Sequence, residues 1–208
     1  MRRVASELGA GTMTLYHYVA NKDDLIELMD DALMGEVLVP PDELPLDDWR
    51  AALRRIAEGS LGAFLRHPWA LDALTGSAFG PNGTRHFDQS LAAVSSLRLG
   101  AREKMELLAT VDDYVFGFVM RLQTGMRDRD GADYQDPANF DAMLDYAERL
   151  LATGDYPHIE QLFGDGDRRA IWREVAASWS EERFSRGLDR LLDGIELELR
   201  RRGALPDG

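Results

Sequence analysis

Polar and aromatic side chains near the start of the chain are spaced for contact with nucleic acid. Val4 and Leu8 are apolar partners at i, i+4, and Leu15 and Val19 repeat this spacing after a turn at Gly9. With both apolar faces turned inward, the second helix directs five side chains to solvent: Thr12, Met13, Thr14, Tyr16 and Tyr18. Such groups at a helix N-terminus contact base edges and phosphates in the major groove. The pattern predicts a helix-turn-helix, with an ordinary helical hairpin as the alternative.

The charge distribution confines any nucleic-acid contact to this end of the chain. The 208 residues include 24 basic and 37 acidic side chains, a net charge of −13. This balance argues against a protein that binds polyanions with its whole surface. Near the start the balance is reversed, because Arg2, Arg3 and Lys22 are countered only by Glu7. We therefore expect a basic reading end attached to an acidic body.

The remaining chain is predicted to be helical. Apolar residues recur at helical spacing nearly throughout, and no run alternates as a strand would, so the predicted fold is all-α. One helix at 22–38 begins after Asn21 as its N-cap, and Pro40-Pro41 stops it. The acidic stretch that follows separates a DNA-binding domain (1–39) from a helical body (47–202). The body is predicted to have polar turns at 127–136 and 153–167 and helices at 47–66, 84–99, 101–127, 138–152 and 181–202.

Composition and missing motifs exclude several classes of protein. The chain has no cysteine and no stretch of about 18 apolar residues that could span a membrane, so a soluble cytoplasmic protein is predicted. No hydrolase elbow, nucleotide loop or dinucleotide fingerprint is present, and an enzyme is the weaker class. Neither a metal nor a cofactor is predicted, because metal-site spacing is missing from the four histidines: His17, His67, His86 and His158.

The run that follows the predicted turn resembles the signature of the TetR family of transcriptional repressors. It extends from Leu15 to Leu25 and reads LYHYVANKDDL. A second resemblance, to the C-terminal domain of the Tet repressor, covers the spacing from Trp49 to Gly76 and the segment 184–195. Together they imply a ligand-responsive DNA-binding regulator, with an N-terminal helix-turn-helix and a helical domain that binds an effector and dimerises.

The family resemblance also implies roles for the residues of the reading end. A homodimer would bind a palindromic operator with its two second helices in successive major grooves, and a small effector would release it by tilting the helix at 22–38. The alternative is a dimeric sensor or carrier that has lost DNA binding. Base contacts are expected from Arg2, Thr12, Met13 and Thr14, and phosphate contacts from Tyr16, Tyr18 and Lys22.

The resemblance further implies that helices 101–127 and 181–202 form a four-helix interface in a homodimer. The first of these helices is apolar over most of its circumference, which predicts burial inside the domain or against a partner chain. Small residues would allow close helix approach between two chains or, alternatively, within one: Gly117, Gly125, Gly187 and Gly194.

Two departures from the family pattern change these expectations. A complete member has a further helix before the motif, whereas this sequence starts inside the motif's first helix. We therefore expect a gene product that begins upstream, or else a variant without DNA binding. The histidine that holds the magnesium ion of the drug in the Tet repressor falls on Leu74, and leucine cannot bind a metal. Tetracycline with magnesium is not the expected inducer.

Aromatic and soft apolar side chains of the body are candidates for an effector pocket, with core packing as the alternative. His67 precedes Pro68 and either caps its helix or lines the pocket. Asp112 and Asp113 lie in an apolar helix and need a partner, either an arginine or a ligand. The expected effector is small and apolar or aromatic, with these candidate contacts: His67, Trp69, Phe79, Phe87, Met105, Asp113, Tyr114, Phe118 and Trp172.

Overall fold

The fold is helical in every part of the chain that the structure describes. This computed structural model describes residues 1–73, 80–124, 136–164, 166–177 and 181–206. All of its regular elements there are helices, which confirms the predicted all-α fold, and none of them is long and apolar enough to cross a membrane. In chain order they are α1 (Arg2–Glu7), α2 (Thr12–Tyr18), α3 (Lys22–Val37), α4 (Trp49–Arg66), α5 (Ala70–Ala73), α6 (Pro81–Ala93), α7 (Ala101–Thr124), α8 (Pro137–Leu151), α9 (Pro157–Phe163), α10 (Arg168–Ala177) and α11 (Glu181–Arg201).

Most predicted helices are present, with differences at their ends. The helix predicted at 84–99 begins earlier, at Pro81, because proline suits the first position of a helix, and it ends at Ala93. The stretch 153–167, predicted as a polar turn, contains α9, which also begins at a proline. Four residues singled out above lie outside the described part of the chain: Leu74, Gly76, Phe79 and Gly125.

The chain divides into two compact units, residues 1–116 with 195–208, and residues 117–194. In the first unit, α3 packs against α4, α5 and α6, and the boundary predicted at 40–46 lies within this unit. The division into 1–39 and 47–202 stays a prediction. The face that α4 buries consists of Trp49, Ala52, Leu53, Ile56, Ala57, Ser60, Leu61, Ala63 and Phe64.

The second unit is held by aromatic contacts and one arginine-centred cluster. Phe118 and Phe184 meet edge-on with ring centroids 5.2 Å apart, and Phe163 lies against Trp172 at 5.6 Å. Arg169 of α10 reaches the acidic side of α8, where it pairs with Asp141, Asp145 and Glu148. These contacts tie α8 to α10.

The helix-turn-helix is built on a small core. Gly9 has φ of 65°, the left-handed conformation that the sequence predicts for the turn. Val4 and Leu8 are 38% and 67% exposed, so the prediction that they face inward is wrong. The physical reason is that α1 meets α2 through its small residue: the core consists of Ala5, Leu15 and Val19, with Met1 and Leu25 packed against it.

Helix α7 is buried along one side only. Asp112 and Asp113 are exposed, as are Met105 and Met120, so the single chain does not bury α7 on every side, and burial against a partner chain stays a prediction. Desolvation, with a smaller contribution from the charge of Asp113, raises the pKa of Asp112 to about 6. A partner for the two carboxylates, either an arginine or a ligand, also stays a prediction. The buried side of α7 consists of Leu107, Leu108, Val111, Val115, Phe118 and Val119.

One acidic side chain of α3 lies in the core without a hydrogen-bond partner among the described residues. Asp30 is 2% exposed, beside the buried Leu33 and Val37, and neither of its carboxylate oxygens has a hydrogen-bond partner in that part of the chain. Burial, with a smaller contribution from the charge of Glu27, raises the pKa of Asp30. An ionised carboxylate in such a place is costly, which is why folding raises the pKa of Asp30 above that of the unfolded chain.

Asp30→Asn is expected to stabilise the chain at pH 8, by about 1 kcal/mol in the free energy of unfolding, because it removes the ionisable group. In the wild type, the raised pKa of Asp30 adds to the free energy of unfolding. This addition is fully present below the pKa of the unfolded chain, about 4, and is lost as the pH rises through the pKa of the folded chain. The advantage of the variant therefore shrinks at pH 5. Urea unfolding at both pH values measures it, with the exposed Asp88→Asn as control. Identical pH dependence in wild type and Asp30→Asn would contradict the assignment.

Candidate nucleic-acid interface and effector contacts

Helix α2 presents its polar and aromatic side chains on a surface. Leu15 anchors the helix in the small core, while Met13 and Tyr18 are 81% and 77% exposed. Thr14 and Tyr16 are also exposed, and Thr12, at the start of the helix, is half-buried. Side chains of this kind on the first turns of a helix have the reach to contact base edges and phosphates.

The basic residues near α2 are exposed, and the described structure gives them no ion pair. Arg2 on α1 and Lys22 at the start of α3 both lie on the surface, as does Arg3. Within the described ranges, none of these three cations forms an ion pair with an acidic side chain. Their charges are therefore available to an anion such as a phosphate.

The junction between α2 and α3 is fixed by a reciprocal cap. The Asn21 side-chain oxygen accepts hydrogen bonds from the backbone N–H groups of Asp23 (2.7 Å) and Asp24 (2.9 Å). The Asp24 carboxylate in turn accepts from the Ala20 N–H at 3.0 Å and from the Asn21 amide at 2.8 Å. This confirms Asn21 as the N-cap and sets the direction in which α3 leaves the reading helix.

His67 is engaged in a contact between helices. Its Nε2 lies 3.0 Å from both carboxylate oxygens of Glu36 on α3, and Arg66 donates to the same carboxylate at 3.1 Å. These two donors, His67 first, lower the pKa of Glu36. His67 also ends α4 as its C-cap and meets Trp69 edge-on at 5.9 Å. The histidine thus links the end of α4 to α3.

The other effector candidates belong to both units and differ in exposure. In the first unit Phe87 and Tyr114 are half-buried, while Trp69, Met105 and Asp113 are exposed. In the second unit Phe118 packs on Phe184, and Trp172 packs on Phe163, as core residues do. His67 and Trp69 contact each other directly, with ring centroids 5.9 Å apart.

Sequence reasoning missed two buried polar groups in the first unit. Within the described residues, the Nδ1 of His86 on α6 has no hydrogen-bond partner, and neither has the carboxylate of Asp30 on α3. Burial lowers the pKa of His86, so its ring is neutral at pH 7. Helical periodicity separates apolar from polar faces but does not reveal a polar residue that is buried, and nothing else in the sequence marks these two.

A groove between α7 and α11 is a further concave feature of the first unit. Its volume is about 310 Å³, and its base is formed by Leu107, Ile195 and Leu199. Glu103 and Glu198 on its rim both pair with Arg202. In the described ranges, no three histidine or acidic side chains are placed to hold a metal ion.

Comparisons with known proteins find a family model and a curated relative that match most of the chain. Residues 40–199 match the family described as "Tetracyclin repressor-like, C-terminal domain". The HTH-type transcriptional repressor DrrR1 of Streptomyces coeruleorubidus is 33% identical over 210 residues, which cover 98% of this chain and 72% of the relative.

Solved structures share the fold. A possible TetR family transcriptional regulator from Streptomyces coelicolor A3(2) superposes with a TM-score of 0.65 at 24% identity, covering 94% of this chain and 88% of the other. ActR of Streptomyces coelicolor, in complex with (S)-DNPA, superposes with a TM-score of 0.62 at 22% identity, covering 93% and 84%. At such identities the likeness concerns the fold, and the curated relative and the family match carry the assignment.

Proposed function

This chain belongs to the TetR family of transcriptional regulators, and from that premise we propose that it binds a palindromic operator as a homodimer and is released by a small effector. The observation that carries the proposal is the surface of α2. Met13, Thr14, Tyr16 and Tyr18 are exposed on a short helix held from behind by Leu15, beside the unpaired Lys22. Aromatic and polar groups next to free cations match what a major groove and its phosphates offer.

The test of this proposal is binding to the DNA that flanks the protein's own gene, measured at two salt concentrations. Saturable binding of one dimer per palindrome, weakening as salt rises, is the expected result because phosphate contacts release counterions. A folded dimer that binds none of this DNA would instead support a sensor or carrier without DNA binding. The proposed role places the protein in the cytoplasm with the chromosome.

Tyr16→Ala is expected to weaken binding to every operator variant about tenfold, because a phosphate contact carries no sequence information. Thr14→Val is expected to change the order of preference among single-base operator variants, with differences of about 1–3 kcal/mol at the affected position. Fluorescence anisotropy with labelled operator variants measures both effects. Tyr16→Phe, which keeps the ring, isolates the hydroxyl. Equal losses from Tyr16→Ala and Thr14→Val on all variants would refute this division of roles.

The proposed dimer interface uses the exposed sides of α7 and α11. Gly117 of α7 and Gly194 of α11 both lie on exposed helix positions, and a Cβ built at either would meet nothing within 4 Å in the described chain. Packing within one chain therefore gives no reason for a glycine at either position. A second copy packed closely on these helices does give one, since small residues permit close helix approach.

Gly117→Leu and Gly194→Leu are expected to leave the folded chain intact but to weaken dimerisation on the order of a hundredfold, because each interface contains the added side chain twice. Sedimentation velocity over a concentration series measures the dissociation constant. Glu58→Leu, which adds an exposed leucine on α4, serves as the matched control. Unchanged dimerisation in both glycine variants would show that the interface lies elsewhere.

The proposed effector is a small apolar or aromatic molecule. Support comes from the fold, since the structural neighbour ActR is in complex with the small molecule (S)-DNPA. In this chain, Phe87 on α6 and the His67–Trp69 pair after α4 lie on elements that pack on or contact α3. An effector that binds the DNA-incompetent state more tightly shifts the population away from DNA, and one with equal affinity for both states shifts nothing.

A further inference from the structure

Helix α6 is attached to α3 by side chains that cross between the two helices. The Asp31 carboxylate of α3 accepts hydrogen bonds from the backbone N–H groups of Asn82 (2.8 Å) and Gly83 (3.0 Å), the first turn of α6. The Asn82 amide donates back to the Asp31 carbonyl at 3.1 Å. The residue before the helix, Gly80, offers no side-chain cap of its own. Asp31 therefore takes the capping position from another helix.

A second attachment lies about two turns farther along. The Gln89 amide of α6 donates to the carbonyl of Val39 at 2.7 Å and accepts from the Val39 N–H at 3.1 Å, so one side chain satisfies both backbone groups of that residue. Val39 lies two residues beyond the end of α3, so this attachment holds the segment that leaves the helix. From Asp31 to Val39 the partners advance along α6 in the same order, so the two segments run in parallel. Together the two attachments hold α6 to α3 and to the residues that follow it.

Two glycines make this close approach possible. A Cβ at Gly80 would overlap the Asp31 carboxylate, and a Cβ at Gly35 would lie 3.1 Å from the Asn82 amide nitrogen. Gly80 has φ of −72°, a conformation that any residue adopts. The space taken by the Asp31 carboxylate, rather than backbone strain, therefore favours glycine at that position.

We infer that Asp31 and Gln89 are positioning residues that make α3 and α6 one rigid body, so that the orientation of the DNA-reading end follows any displacement of α6. The inference rests on the proposed function. Phe87, the effector candidate on α6, lies between the two attachment points along the helix. A ligand that moves α6 through Phe87 then moves α3 directly, without an intervening flexible segment.

The first test measures the distance between the reading end and the body within one chain. Because the chain has no cysteine, Ser6→Cys on α1 and Asp88→Cys on α6, both exposed, introduce the two spin labels. Labelled protein is diluted with unlabelled protein so that each dimer contains one labelled chain, and pulsed dipolar spectroscopy gives the distance distribution. Asp31→Ala is expected to shift or broaden this distribution, whereas Asp31→Asn, whose side-chain oxygen still accepts, retains it.

Asp48→Ala separates positioning from ordinary capping. Asp48 accepts from the N–H groups of Arg50 (2.9 Å) and Ala51 (3.1 Å) at the start of its own helix, the same chemistry without a link between helices. It is expected to lower the melting temperature much as Asp31→Ala does, but to leave the distance distribution unchanged. Gly80→Ala displaces the Asp31 carboxylate but keeps the residue, and it is expected to reproduce the effect of Asp31→Ala. If Asp31→Ala does not fold, Gly80→Ala is used in its place.

Operator affinity gives the second measurement. Asp31→Ala and Gly80→Ala are expected to lower it about tenfold, since losing a cap of ordinary strength lets other orientations of the reading end compete. Asp48→Ala is expected to leave the affinity nearly unchanged. If the distance distributions of Asp31→Ala and Gly80→Ala are the same as that of Asp48→Ala, the inference is overturned, whether or not the chain binds DNA. A wild-type chain that binds no operator while the distances shift as expected overturns the proposed function alone.

Discussion

The direction of α3 is the constraint on which the rest of the first unit depends, because α3 follows the reading end and packs against α4, α5 and α6. Three polar contacts fix this direction: the Asn21 cap at the start of α3, the Asp31 bonds to α6, and the Glu36 pair with His67 and Arg66. The Gln89 bridge to Val39 holds the segment just beyond the end of α3. Apolar packing alone would hold α3 less specifically, since side chains of similar size can slide past one another. The polar contacts have geometric requirements, and those requirements define one orientation.

The reading end itself depends on very little buried surface. Its core of Ala5, Leu15 and Val19 is small, and large apolar side chains such as Leu8 stay exposed. A unit of this size gains little from burial and relies on its neighbours for order. The reciprocal cap between Asn21 and Asp24 is therefore central, because it joins α2 to the well-packed α3 without a flexible linker.

The sequence was sufficient to predict the helical fold, the turn at Gly9 and the cap at Asn21, because each depends on local residue preference or on periodicity. It misjudged Val4 and Leu8, since periodicity identifies an apolar stripe but not what covers it. It missed Asp31, Gln89 and Glu36 as contacts between helices, since their partners lie from 31 to 52 residues away along the chain. Surface acids and amides look alike in sequence, and only the tertiary fold selects the ones that bind a backbone.

Asp30 and Asp31 show how strongly that selection acts on neighbouring residues. Successive side chains of a helix point about 100° apart, so two neighbouring carboxylates on α3 meet different surroundings. In the observed orientation Asp31 accepts two backbone hydrogen bonds, while Asp30 is buried without a hydrogen-bond partner in the described part of the chain. The hydrogen bonds gained at Asp31 offset the free-energy cost of burying Asp30, which apolar packing alone would not favour. An orientation that retains this buried acid is one in which the attachment of α3 to α6, together with the packing around it, outweighs the local cost.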